Sequence, residues 1–273
     1  MLIALCSLKG SPGVTTASLA LAARWPGGRR PVVVECDPAG GDLMPRFRLD
    51  VSPGLVTLAA AARRAEPSHV IWEHTQGLPG GLPVVVGPVG AEQARAALVQ
   101  IAERADAVLR EPVGGSGTVV IVDCGRADTR TPAMEIMKAA DVLLVLAGAQ
   151  DDALGHVAMR WDAMARCAPR TGLLVVGDGY SSTEIAKTLG VEVLGRVPDD
   201  PKGAAMLGGR TGGRYAPARS PLAEAMARIG VKIAARSRSR LFVRPGTTQS
   251  SSRVETATST EARSTPTLDG APS

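Results

Sequence analysis

The sequence predicts a doubly wound, mostly parallel α/β sheet with helices on both faces. Three observations carry that expectation. Short runs of Val, Leu and Ile recur along the chain and are nearly continuous, as strands covered on both faces require. Stretches of helical periodicity separate them, and such alternation implies right-handed βαβ crossovers. The first run opens directly into a glycine-containing loop at residues 9–16, and open α/β sheets gather their ligands at the carboxyl ends of the strands.

The elements follow in order. Strands are expected over 2–8, 31–36, 82–89, 118–122, 142–147, 172–176 and 191–197, each rich in Val, Leu and Ile. Helices are expected between them over 15–24, 55–64, 91–110, 131–140, 153–167 and 183–189. After Arg196 the pattern changes. Residues 197–201 read as a strand exit and loop, 203–207 as a short helix, and 208–218, rich in Gly and Arg, as a mobile loop. Residues 221–236 read as a last amphipathic helix with Leu222, Ala225, Met226, Ile229 and Ile233 on one face. From Pro245 to Ser273 the chain is Ser/Thr-rich with almost no large apolar residue, so disorder is expected. The division is one domain over 1–244 and a tail over 245–273.

The 273 residues suffice for one sizeable core. Hydrophobic residues at 45% and charged residues at 21% are ordinary for a soluble domain. Aromatics at 3% leave the core to aliphatic side chains and argue against a stacking platform for single-stranded nucleic acid. The net charge of +5 permits weak contact with DNA, an anionic membrane or an acidic partner. Cys6, Cys36, Cys124 and Cys167 are widely spaced, which points to buried reduced thiols and away from zinc. The N-terminus enters a strand without a basic leader, and no apolar run approaches the ~20 residues of a membrane span. A cytoplasmic location is expected, with peripheral membrane contact left open.

The loop Lys9-Gly10-Ser11-Pro12-Gly13-Val14-Thr15-Thr16 lies between a strand and a helix, the context of a phosphate-binding loop. Gly10 and Gly13 let the backbone turn tightly and approach an anion. Amides from Gly13 to Thr16 then converge on a phosphate at the helix N-terminus. Thr15 falls at the magnesium-binding hydroxyl, and Thr16 can bond an α-phosphate. Two acidic strand tips follow, Glu35-Cys36-Asp37-Pro38-Ala39-Gly40-Gly41 and Val122-Asp123-Cys124-Gly125. A carboxylate on a buried strand tip near such a loop can hold a magnesium-bound water.

Together these motifs resemble the ParA/MinD family of ATPases, with their deviant Walker A loop, over roughly residues 1–235. The resemblance implies ATP and Mg2+ as ligands. It gives Lys9 a reach across a dimer interface to the partner's phosphates, Asp37 the placing of magnesium and the attacking water, and Asp123 the Walker B role. It sets Pro198, Asp199 and Asp200 beside the adenine, and it closes the domain with the helix begun at 220–225. It also implies a homodimer, with a cargo or adaptor protein as partner, that positions a cargo such as a chromosome, a plasmid, or a division, secretion or pilus assembly.

The departures are specific. Val14 stands where the Walker lysine belongs, Pro12 removes an amide, Ser11 replaces a glycine, and Glu35 replaces an aspartate. Losing a preorganised charge costs on the order of 10²–10³ in rate. Three explanations stay open. Lys9 takes over, the protein binds nucleotide with weak or no hydrolysis, or it is a nucleotide-independent pseudo-ATPase scaffold for a pilus, secretion or division assembly. A metabolic P-loop enzyme is disfavoured, because His69, His74 and His156 are scattered and form no nucleophile constellation. Arg126 is either a replacement charge or a solvated loop residue. Asp199 and Asp200 either touch nucleotide or cap the helix starting near Pro201. The base-reading asparagine is replaced by Val176-Gly177-Asp178-Gly179. Finally, Lys232, Arg236, Arg238, Arg240 and Arg244 surround Leu241-Phe242-Val243. Such a run can bind DNA or an anionic membrane, or simply end the last helix in solvent.

Overall fold

Alternate residues of a strand face opposite sides of its sheet, and here both sides are apolar. In the first strand Leu2, Ala4, Cys6 and Leu8 enter one packed layer, while Ile3 and Leu5 enter the other. Val120, Val122 and Cys124 against Val119 and Ile121 repeat the division. The sheet is therefore buried between two helical layers, as near-continuous apolar runs demand.

The computed structural model describes residues 1–63, 70–110, 117–128, 130–209 and 220–238. The strands are β1 (Leu2–Ser7), β2 (Arg30–Glu35), β3 (Gln76–Gly77), β4 (Pro83–Val85), β5 (Thr118–Arg126), β6 (Val142–Gly148), β7 (Thr171–Val176) and β8 (Val193–Val197). They form one sheet in the order β3-β4-β2-β5-β1-β6-β7-β8, parallel throughout except for the β3–β4 pair. The helices are α1 (Val14–Ala23), α2 (Leu43–Phe47), α3 (Leu55–Ala62), α4 (Val70–Glu73), α5 (Ala91–Ala102), α6 (Ala133–Ala139), α7 (Asp151–Ala165), α8 (Ser182–Leu189), α9 (Pro201–Leu207) and α10 (Pro221–Arg238). Side chains of α1, α2, α9 and α10 pack in one layer, and those of α3 to α8 in the other. The expected doubly wound α/β fold is observed. The winding reverses at β1, which lies between β5 and β6, so its carboxyl end is a topological switch point.

Several boundaries differ from expectation. β5 continues to Arg126, because Cys36 N–H donates to Asp123 O at 2.7 Å and Ala127 N–H donates to Ser7 O at 2.8 Å. β4 stops at Val85, because the backbone beyond it serves loops: Val86 O accepts from Leu55 N–H at 2.8 Å and Pro88 O from Gly41 N–H at 2.8 Å. The helix expected over 91–110 is α5 followed by a π-helical turn at Asp106–Arg110. α2, α4 and β3 are additional short elements.

Cys6, Cys36 and Cys124 are free and buried, and Cys167 is half-buried. Among the described residues no helix is long and apolar enough to cross a membrane. Most of the loop expected to be mobile at 208–218, the tail at 245–273, His69, the side chain of Arg238, Arg240 and Arg244 lie outside the described residues.

Candidate functional site

The loop after β1 ends at Gly13, whose φ of 87° and ψ of 43° are left-handed, a region glycine enters without steric penalty. No side chain caps α1. Among the described residues no side chain accepts from its first-turn N–H groups, and Val14, Thr15 and Thr16 line a cleft of about 330 Å³. An uncapped helix N-terminus of this kind suits an anion. The loop wall comprises Ser7, Gly10, Ser11, Gly13, Val14, Thr15 and Thr16. The opposite wall comes from residues after β2 (Asp37, Ala39, Asp42, Arg46) and from the end of β5 (Gly125, Arg126).

Parallel pairing sets Glu35 beside Asp123, yet the two carboxylates do different work. Asp123 is buried beside Thr15, and Gly125 N–H donates to its Oδ1 at 3.0 Å. Burial pushes its acid up to about 6, against the lowering influence of the Thr15 hydroxyl and the Gly125 amide. Asp37 sits just past β2, accepting from Ala39 N–H at 2.8 Å. Partial burial raises it, the Ala39 amide and Arg126 lower it, and Asp42 raises it. Its carboxylate lies over the face of Gly125, where an added Cβ would fall 2.1 Å from Asp37 Cγ.

Glu35 is a brace. Oε1 accepts from Asp42 N–H at 2.8 Å and Leu43 N–H at 3.0 Å, and Oε2 accepts from Gly87 N–H at 2.9 Å. It thereby fixes the start of α2 and the loop after β4. Burial pushes its acid up to about 7 despite the three amides.

The cations are distributed unexpectedly. Lys9 is exposed and is not among the residues lining the cleft. Val14 lines it but is only 7% exposed, packed with the layer that holds α1, α9 and α10. Arg46 and Arg126 line it. Among the described residues no cluster of three or more His, Cys, Asp or Glu side chains is placed to hold a metal. A magnesium ion at the Thr15 hydroxyl and Asp37 would therefore complete its shell with phosphate oxygens and water, its usual preference. On the donor types present, the residues fit a magnesium–nucleotide ligand.

The remaining expected residues lie elsewhere. Pro12 does not line the cleft, and neither do Pro198, Asp199 and Asp200. Asp200 Oδ1 accepts from Gly203 N–H at 2.9 Å and Oδ2 from Leu222 N–H at 3.2 Å, capping α9 and tethering α10. Slight burial would raise its acid, but these amides and the Ser220 hydroxyl hold it below the usual range. Asp199 is exposed. Gly177 N–H donates to Val197 O at 2.9 Å, and the Arg196 guanidinium donates to the Gly177 and Tyr180 carbonyls, joining the tips of β7 and β8. On α10, Lys232 Nζ donates to Leu194 O at 2.8 Å and Arg236 pairs with Glu192. Sequence reasoning passed over Asp42 and Arg46, since α2 contains a proline and is too short to show a period.

No family model matches the chain, and no curated protein sequence matches it significantly. Solved structures do match in fold. A ParA family ATPase from Chlorobium tepidum TLS superposes with a TM-score of 0.66 at 16% identity, over 84% of this chain and 98% of that one. The cell division ATPase MinD of Pyrococcus furiosus gives 0.66 at 20%, over 86% and 98%. The septum site-determining protein MinD of Pyrococcus horikoshii OT3, solved complexed with Mg-ADP, gives 0.65 at 18%, over 89% and 99%. The chain has the fold of these P-loop proteins.

Proposed function

We propose that this protein is a ParA/MinD-like nucleotide-binding protein that takes ATP with magnesium, dimerises, and serves as a positioning or partitioning factor with weak or no ATP hydrolysis. One observation carries the reading: a single cleft joins the start of α1 with Thr15 and the Asp37 carboxylate seated on Gly125, and Asp123 lies buried behind Thr15. The amides of the first turn bind the phosphates, and the Thr15 hydroxyl and Asp37 are the residues that would hold magnesium. Bound there, magnesium neutralises phosphate charge. Asp123 acts behind Thr15, orienting its hydroxyl. Asp37 also stands where a carboxylate can orient a water. Lys9, exposed at the loop and off its own cleft wall, supports a role across a dimer interface. Pro198 and Asp199 remain candidates for the base-proximal rim.

Hydrolysis is weak because Val14 brings no charge to the transition state. Calorimetric titration of Mg-ATP into wild type, Lys9→Ala and Val14→Lys tests the reading. The lysine's methylenes can occupy the valine's packed position with the ammonium extended into the cleft. We expect binding by wild type, about tenfold tighter binding by Val14→Lys, and turnover raised on the order of 10²-fold. No heat of binding from wild type would defeat the nucleotide reading in favour of the scaffold. Weak contact with DNA or an anionic membrane through Lys232, Arg236 and the basic residues that follow is the proposed accessory surface. Plasmid affinity should fall steeply with salt; a flat response would exclude the DNA form.

A further inference from the structure

The cleft presents an electrostatic difficulty that its own loop does not resolve. Asp37 and Asp42 line it, Asp123 lies behind Thr15, and the loop brings no cation, with valine at position 14 and Lys9 off the wall. A polyphosphate entering beside those carboxylates needs positive charge near it. Two guanidinium groups are available, Arg126 at the exposed end of β5 and Arg46 on α2.

Arg46 is the better placed. Its helix is held at the start by Glu35, through the amides of Asp42 and Leu43. At the other end it is packed so closely that a Cβ at Gly209 would lie 3.0 Å from Arg46 O. The guanidinium is drawn along the helix by an ion pair with Asp42, one turn earlier, with the two side chains 31% and 54% exposed. An exposed pair of this spacing is weak, so an incoming phosphate can displace Asp42 or share the fork with it. The planar fork matches phosphate oxygens bidentately.

We propose that Arg46 is the phosphate-binding cation of this cleft, supplied in cis from the segment after β2 in place of the loop lysine. The inference rests on the nucleotide reading above. Calorimetry with Mg-ATP on wild type, Arg46→Ala, Arg46→Lys and Asp42→Asn tests it, with thermal melting of each variant as the fold control. Arg46→Ala should weaken binding on the order of tenfold to a hundredfold, the range of a charge-assisted hydrogen bond. Arg46→Lys should recover part of the loss. Asp42→Asn should bind as tightly as wild type or more tightly, because it frees the fork and removes a negative charge. If Arg46 merely supported α2 through its ion pair, Asp42→Asn would weaken binding as much as Arg46→Ala, and the inference would fail. Wild-type affinity in Arg46→Ala would also overturn it while leaving the nucleotide reading intact. No binding by wild type would remove both.

Discussion

Glu35→Ala should lower folding free energy by roughly 3 kcal/mol, the larger of the stability effects expected in this protein. The substitution strands the amides of Asp42, Leu43 and Gly87, three donors that one carboxylate satisfies. An unsatisfied buried amide costs about 1–3 kcal/mol, and relief from burying a charge offsets part of the sum. Glu35→Gln should be milder, since one oxygen still accepts from Asp42 and Leu43 while an NH2 group opposes the Gly87 amide. Urea unfolding measures both. A loss under about 1 kcal/mol for the alanine variant would mean that water replaces the carboxylate without penalty. Limited proteolysis should show residues 38–42 and 86–89 cut first, because both loops lose their shared anchor.

The same residue sets a pH dependence. Glu35 moves from an ordinary 4.5 to about 7 on folding, and Asp123 from 3.8 to about 6, both chiefly through burial. The folded chain therefore holds these protons more tightly than the unfolded chain. The stability they contribute is fully present below the unfolded values and is lost as pH rises through the folded ones. The ligand-free protein should melt at a higher temperature near about pH 5 than near about pH 8, and Glu35→Gln should flatten the upper part of that slope. A melting temperature that rose across this window would contradict the assignment.

The strands were legible because burial on both faces forces continuous aliphatic runs, and β1, β6 and β7 fall within one or two residues of expectation. The end of β5 was not, because Asp123 and Gly125 resemble a loop in isolation, while their backbone partners lie on β1 and β2. The loop after β1 and the acidic strand tips at Asp37 and Asp123 were legible as local motifs, and the structure brings the loop and Asp37 to one cleft. Glu35 read as a substituted site residue, whereas its partners include Gly87, 52 positions away, a relation no local pattern contains. Arg46 was hidden for a related reason. α2 has five residues with Pro45 inside it, so it exists through tertiary anchoring and leaves no periodic trace. At Asp200 the capping alternative could be read directly from the Asp-Pro order at a helix start, and the side chain does cap α9.

Gly125→Ala should reduce Mg-ATP affinity on the order of a hundredfold or more, although the change is one methyl group. Two physical effects combine at this position. Its φ of 58° is left-handed, which costs alanine about 1 kcal/mol relative to glycine. The new Cβ would also fall 2.1 Å from Asp37 Cγ and Oδ2, a distance no side chain tolerates, so either Asp37 or the tip of β5 must move. Moving Asp37 removes a residue that would hold magnesium. Moving the tip of β5 pulls the Gly125 amide from Asp123 Oδ1 and disturbs the carboxylate beside Thr15. A double-substitution cycle separates the two routes. If the methyl group acts only by expelling the Asp37 carboxylate, Asp37→Ala with Gly125→Ala should bind no worse than Asp37→Ala alone, since the clash has vanished. If the β5 tip is displaced instead, Thr15→Ala should add nothing further to Gly125→Ala, whereas expulsion of Asp37 alone leaves Thr15 in place and its removal costs further. Equal affinity in Gly125→Ala and wild type, with an unchanged circular dichroism spectrum, would show that the carboxylate has another seat and that the Asp37–Gly125 contact is incidental to binding.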